Sequence, residues 1–127
     1  MIEEGKPIFL QIAESVEDAI VDGSLAEEDR APSTNELAAF HRINPATAAK
    51  GVNMLVDAGI LYKQRGIGMF VATGARAQLL AARRAAIAER YVDPLLAEAR
   101  TLELSAAELT RLIQDRAAEA ANEGNPQ

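Results

Sequence analysis

A chain of 127 residues with 49% apolar residues and a net charge of −6 has room for one compact domain and an appendage, but not for two full domains. It has no cysteine, which excludes disulfides, thiol chemistry and cysteine-ligated metal sites. No basic region followed by an apolar stretch opens the chain and no apolar run is long enough to span a bilayer, so a cytoplasmic protein with no membrane partner is expected.

Residues 1–6 read as a polar, mobile start. From Pro7 onward Phe9, Ile12, Ala13, Val16, Ala19 and Ile20 recur at helical spacing, predicting a helix over Ile8–Asp22 that stops at Gly23. Residues 24–31 read as a polar connection. Ser33-Thr34-Asn35-Glu36 has the pattern of a capping box and predicts a short helix with Leu37, Ala38 and Phe40 inward. His41-Arg42-Ile43 is then a turn with Ile43 as its buried plug. Asn44-Pro45 restarts the chain with an N-cap asparagine and a proline at the first helical position. Along that second helix Ala48, Gly51, Val52 and Leu55 share the inward face, while Ala46, Thr47, Lys50 and Asn53 point away. Residues 60–64 and 69–72 have strand composition and flank Arg65-Gly66-Ile67-Gly68, whose glycines suit a hairpin tip and let backbone approach a ligand. Short helix, turn, helix and hairpin in that order predict a winged helix-turn-helix, whose second helix is the DNA-reading one.

Beyond Gly74 a long helix is expected over Ala75–Leu102, kinked or split by Pro94. Ser105-Ala106-Ala107-Glu108 is a second capping-box pattern and opens a last helix through about Ala121, with residues 122–127 as a frayed tail. The expected fold is therefore mainly α with a small β-hairpin, divided into a DNA-binding domain (1–74) and a helical dimerisation region (75–127).

Charge is unevenly spread. Residues 1–29 carry one base against nine acids; residues 30–74 carry five bases against two acids, leaving +3; residues 75–127 carry seven arginines against eight acids. Only the segment expected to read DNA is positive, so binding should depend on a few well-placed contacts rather than on bulk attraction.

These residues resemble the N-terminal domain of the GntR family of bacterial transcription regulators. Pro7-Ile8-Phe9-Leu10-Gln11-Ile12, Gly23-Ser24-Leu25, Pro32-Ser33-Thr34-Asn35-Glu36-Leu37-Ala38 and Gly66-Ile67-Gly68-Met69-Phe70-Val71 follow the family pattern in order, over about residues 7–72. Asn44-Pro45-Ala46-Thr47 followed by Lys50 is similar to the recognition helix of the YtrA-like subfamily, whose short two-helix tail builds a dimer. The resemblance implies a homodimeric repressor on a palindromic operator. It also exposes departures. Asn35 replaces an arginine that contacts DNA in relatives, Asp29 and Ala31 replace glycine and leucine, and Ala48 and Gly51 stand where larger residues are usual. The last pair implies a thinly packed recognition helix, at a cost of about a kcal/mol for each unfilled methyl.

The residues expected to meet DNA are Ser33, Asn35, Asn44, Ala46, Thr47, Lys50, Lys63, Arg65 and Gly66. Thr47 is the base-edge candidate and Lys50 a phosphate contact, while Arg65 and Gly66 suit the minor groove. Capping alone explains Asn44, and Ser33 both caps and is free to donate. Arg42 is a flank candidate. The tail reads either as a cover for its own domain or as a dimer element; an alanine-rich helical pair has little to bury without a partner. Leu79, Leu80, Arg83, Ile87, Tyr91, Leu95, Leu102, Leu109, Leu112 and Ile113 trace the expected interface, which would set two recognition helices about 34–36 Å apart. No nucleophile, base or metal set converges, so neither an enzyme nor a cofactor is expected. A small-molecule effector is the expected route to release from DNA, with no large domain to hold it. The rival reading is a helical interaction module that keeps the winged-helix fold but has lost DNA reading.

Overall fold

A computed structural model of the chain describes residues 5–123. Residues 1–4 of the expected mobile start and 124–127 of the expected frayed tail lie outside the described residues. The element order is α1 (Ile8–Val21), α2 (Thr34–His41), α3 (Pro45–Asp57), β1 (Leu61–Gln64), β2 (Gly68–Val71), α4 (Ala75–Ile87), a π-helical stretch (Ala88–Val92), α5 (Asp93–Thr101) and α6 (Ala106–Glu123). The chain divides into two units, residues 1–83 and 84–127.

In the first unit α1 buries Ile12, Ala13, Val16 and Ile20, the face that its sequence period marks. At its start Lys6 Nζ reaches Glu14 Oε2 at 2.8 Å, and Gln11 Nε2 donates to the Lys6 carbonyl at 2.9 Å. Both helix starts of the helix-turn-helix have the caps their sequences predict. The Glu36 amide donates to Ser33 Oγ at 3.0 Å and the Ser33 amide to Glu36 Oε1 at 3.1 Å. The Ala46 amide donates to Asn44 Oδ1 at 2.7 Å. Arg42 closes α2 in the left-handed region (φ 57°), and Ile43 then packs half-buried against the core.

Two expectations about this core are corrected. Phe40 is not inward: it is 82% exposed, because Leu37 and Ala38 already supply the buried face of α2 and Phe40 falls on the far side of the last turn. Nor is α3 thinly packed at Gly51. A Cβ there would lie 2.6 Å from the Phe9 carbonyl oxygen and 3.3 Å from Ile12 Cβ, so the backbone of α1 occupies the space a side chain would need.

The wing is larger than a hairpin. β1 and β2 pair antiparallel with Gln64 opposite Gly68 and Leu61 opposite Val71. The polar connection over residues 24–31 runs along the free edge of β2, with Arg30 bridged to Phe70. The Ala31 amide donates to the Met69 carbonyl (2.8 Å), the Glu28 amide to the Val71 carbonyl (2.8 Å) and the Val71 amide to the Asp29 carbonyl (3.0 Å). Ala31 is buried there. Its small side chain suits a segment that runs against both the sheet and the core.

The start of α4 belongs to this unit, since Ala75 and Leu79 join its core. Leu79 is therefore core rather than dimer face. Arg83 Nη2 is paired with Asp18 Oδ1 at 2.6 Å, and Leu80 is half-buried.

In the second unit Pro94 splits the long helix, as its missing N–H demands. The wide turn over Ala88–Val92 precedes it and α5 resumes with the proline in its first turn, a local adjustment that relieves the clash between a proline ring and the carbonyl four residues earlier. Ser105 and Glu108 cap α6 reciprocally, at 3.0 and 3.1 Å. Within this unit only Ala99 and Leu109 are buried among the described residues, so Leu109 belongs to the contact between α5 and α6 rather than to an outer face. No helix among the described residues is long and apolar enough to cross a membrane.

Candidate nucleic-acid interface

The exposed surface of the helix-turn-helix starts with the two caps. Ser33 uses its hydroxyl oxygen as an acceptor from Glu36, which leaves its proton free to donate to an oxygen outside the protein. Asn35 and Ala46 are exposed, Thr47 is half-exposed and Lys50 is exposed. Asn44 has its carbonyl oxygen committed to the α3 cap. Lys50 is held rather than loose: its ammonium lies 4.0 Å from the centre of the Phe9 ring. A ring under the charge favours that position without neutralising it, so Phe9 of α1 is a positioning residue for α3 that sequence reasoning did not identify.

At the wing, Lys63 lies on β1 opposite Met69, and Arg65, Gly66 and Ile67 form the exposed tip. Gly66 (φ 78°) and Gly68 (φ 145°) both occupy backbone conformations that side chains disfavour. Gly68 has a second reason to be glycine: a Cβ would fall 3.0 Å from Arg30 Nε. Arg30 thus lies against the wing, and its charge also reaches Glu36 at the start of α2. The first unit brings Arg30 between the α2 cap and the hairpin, making it an additional basic residue at this surface. The composition of its segment, a polar connection, gives no sign of this; an isolated antiparallel bridge between Arg30 and Phe70 is what places it.

Glu28, in the same connection, anchors the wing. Its carboxylate accepts from Thr73 Oγ1 (2.6 Å) and from the Tyr62 hydroxyl (2.5 Å), while the Tyr62 and Phe70 rings stack with centroids 5.8 Å apart. Those hydrogen bonds, Thr73 first and Tyr62 second, hold the Glu28 carboxyl below its ordinary range and raise the Tyr62 hydroxyl. A carboxyl lowered by folding stabilises the fold above its unfolded-state value and loses that contribution as pH falls through its folded one. Acidification below about pH 4.5 is therefore expected to raise the amide-exchange rates of residues 61–71, after correction for intrinsic chemistry, before those of α3. In Glu28→Gln that early acid step should be absent.

His41 lies edge-on to Phe40, with ring centroids 5.0 Å apart. No group of three or more histidine or acidic residues able to hold a metal occurs among the described residues.

In the second unit the remaining residues of the expected interface are open. Ile87, Tyr91, Leu95, Leu102, Leu112 and Ile113, with Val92 and Leu96 beside them, are 40% to 60% exposed. Arg90 stacks on the Tyr91 ring at 5.2 Å.

The family model for bacterial regulatory proteins of the gntR family matches residues 9–71. The HTH-type transcriptional repressor YtrA of Bacillus subtilis is 30% identical over 84 residues, 66% of this chain and 65% of the repressor. The chain spans less than two thirds of the length of two Bacillus subtilis relatives that it matches, the regulators YhcF and YtrA. Among solved structures, a protein described as a transcriptional regulator of the GntR family from Bacteroides thetaiotaomicron superposes with a TM-score of 0.74 at 30% identity, over 89% of this chain and 98% of that one. The DNA-binding domain of AraR in complex with operator ORX1 superposes with a TM-score of 0.52 at 30% identity, over 57% of this chain and 87% of that one.

Proposed function

Because the chain belongs to the GntR family, whose members are transcription regulators and not enzymes, we propose that it is a homodimeric repressor that binds a palindromic operator. The observation that carries this reading is the placement of charge. Of the three segments 1–29, 30–74 and 75–127, only residues 30–74 carry net positive charge, and they are the stretch that folds into the helix-turn-helix and wing. Thr47 reads a base edge from the start of α3, Lys50 takes a phosphate one turn along, and Arg65 with Gly66 lies in the neighbouring minor groove. Ser33, Asn35, Ala46 and Lys63 flank these contacts, with Asn44 primarily a cap. AraR, whose DNA-binding domain has been solved on an operator, supports the same use of the shared fold. The exposed apolar residues of the second unit support the dimer, and the match to YtrA supports placement in that short-tailed subfamily.

The test is a fluorescence-anisotropy titration of the protein against DNA from just upstream of its own gene, beside a scrambled duplex, at two salt concentrations. Saturable binding that prefers the native fragment and weakens with salt is expected. Absence of binding to any duplex at low salt would defeat the reading in favour of an interaction module. Within the same assay, Lys50→Ala should weaken binding to all duplexes alike and flatten the slope of log affinity against log salt by about one. A change of sequence preference alone would remove Lys50 from the phosphate contacts.

A further inference from the structure

Between α1 and α2 the first unit has an open groove of about 460 Å³, within the range of about 300–1,000 Å³ that small-molecule sites occupy. Val16, Ala19, Leu25 and Leu37 form apolar walls, and Phe40, His41 and Glu36 stand around them. Phe40 accounts for none of the core, and its 82% exposure places a large aromatic face in water at the edge of an apolar hollow. Glu36 contributes the only formal negative charge, and no lysine or arginine lines the groove. One oxygen of Glu36 is committed to the Ser33 amide, while Oε2 makes no hydrogen bond or ion pair within the described residues. The hydrogen bonds from Ser33 lower the carboxyl, helped slightly by the charge of Arg30, so it is ionised at neutral pH.

An aromatic face, a free carboxylate oxygen and apolar walls form a combination that favours a cation with an apolar body over an anion or a sugar. We propose that this groove binds a small lipophilic cation and that its occupancy alters operator affinity. The regulatory half rests on the DNA-binding reading above; the site itself does not. Coupling has a short route, since the Glu36 that meets the ligand is also the residue that caps α2 through Ser33, and α2 packs directly on α3 through the shared core. A ligand that favours one setting of α2 biases the presentation of α3 by its difference in affinity between the two settings.

The probe is tetraphenylphosphonium, compared with tetraphenylborate, which has nearly the same shape and the opposite charge. Both are titrated into the full-length protein by calorimetry. The cation is expected to bind one site per chain roughly tenfold more tightly than the anion. Phe40→Ala and Glu36→Gln should each weaken it by about fivefold, and Phe40→Ala should leave the thermal midpoint unaltered, because Phe40 lies outside the core. Phe40→Leu keeps apolar bulk without the ring and should lose most of the same affinity. Equal binding of the two ions, cation binding that neither substitution weakens, or no saturable binding would overturn the site. Saturating cation should change operator affinity by about threefold or more in the wild type and leave Phe40→Ala unaffected. An unchanged operator affinity with the cation bound would overturn the regulatory half alone. A wild type without operator preference would defeat the DNA-binding reading and the regulatory half with it, leaving the site to the calorimetry.

Discussion

Ending the chain at Arg83 is expected to yield a folded monomer whose operator affinity is lower by about a hundredfold or more. The cut has to fall there and not at Gly74, because Ala75 and Leu79 complete the core of the winged-helix unit and their removal would expose it. The Arg83–Asp18 pair, partly in water on both sides, contributes little to the choice. The described residues after the cut are poor in core: two buried side chains stand against eight large apolar ones that are 40% to 60% exposed. That balance suits helices that bury their faces on a second copy. In a dimer the second half-site is bound at the effective concentration set by the first, and this advantage disappears when the tail is removed. Analytical ultracentrifugation of both forms, together with anisotropy on the same operator, checks the expectation. A full-length protein that sediments as a monomer, or a truncated one that remains a dimer, would refute the role given to Ile87, Tyr91, Leu95, Leu102, Leu112 and Ile113.

Gly51→Ala is expected to destabilise the first unit by about 1–2 kcal/mol, although alanine is the better helix former by roughly 1 kcal/mol. The reason is the 2.6 Å approach of the added Cβ to the Phe9 carbonyl oxygen. That atom is backbone in the first turn of α1, so relief requires the helix to move and not a side chain to rotate. Ile12, which the new methyl would also meet at 3.3 Å, is itself in the core. For a domain of this size the loss corresponds to a fall in the thermal midpoint of several degrees. The displacement would also shift Phe9 from beneath Lys50, so operator affinity should fall along with stability. A midpoint equal to or above that of the wild type would show that α1 and α3 do not approach as closely as described. The missing methyl is thus no cavity at all, and the cost of about a kcal/mol that a thinly packed helix would carry does not apply.

Much of this protein is local, and what is local was legible. Ser33 with Glu36, Asn44 with Pro45, and Ser105 with Glu108 are interactions between residues at most three apart, so their types and spacing determine the helix starts without reference to the rest of the chain. Apolar periodicity fixed the buried face of α1 and the inward set Ala48, Gly51, Val52 and Leu55 of α3 for the same reason. The glycine-flanked turn located the wing, and Pro94 located the break in the long helix.

Tertiary structure decided what depends on residues distant in sequence. Periodicity placed Phe40 beside Leu37 and Ala38, but a three-residue inner face was already complete with two, and only packing reveals which of three apolar neighbours is left out. Glycine in a helix reads as a gap until the approaching backbone of α1, some forty residues earlier, is seen to fill it. Residues 28–31 have the acidic, polar composition of a connection, yet they pair with β2 through an isolated bridge at Arg30. β2 offers an unpaired edge there, and the pairing brings Arg30 to the wing and Glu28 to Tyr62 and Thr73. Leu79 and Leu109 bear the same helical signature as Leu102 and Leu112, yet the first pair is buried within the chain and the second is exposed. A hydrophobic stripe states that a face will be covered. Which element covers it is settled only when the other elements have taken their places.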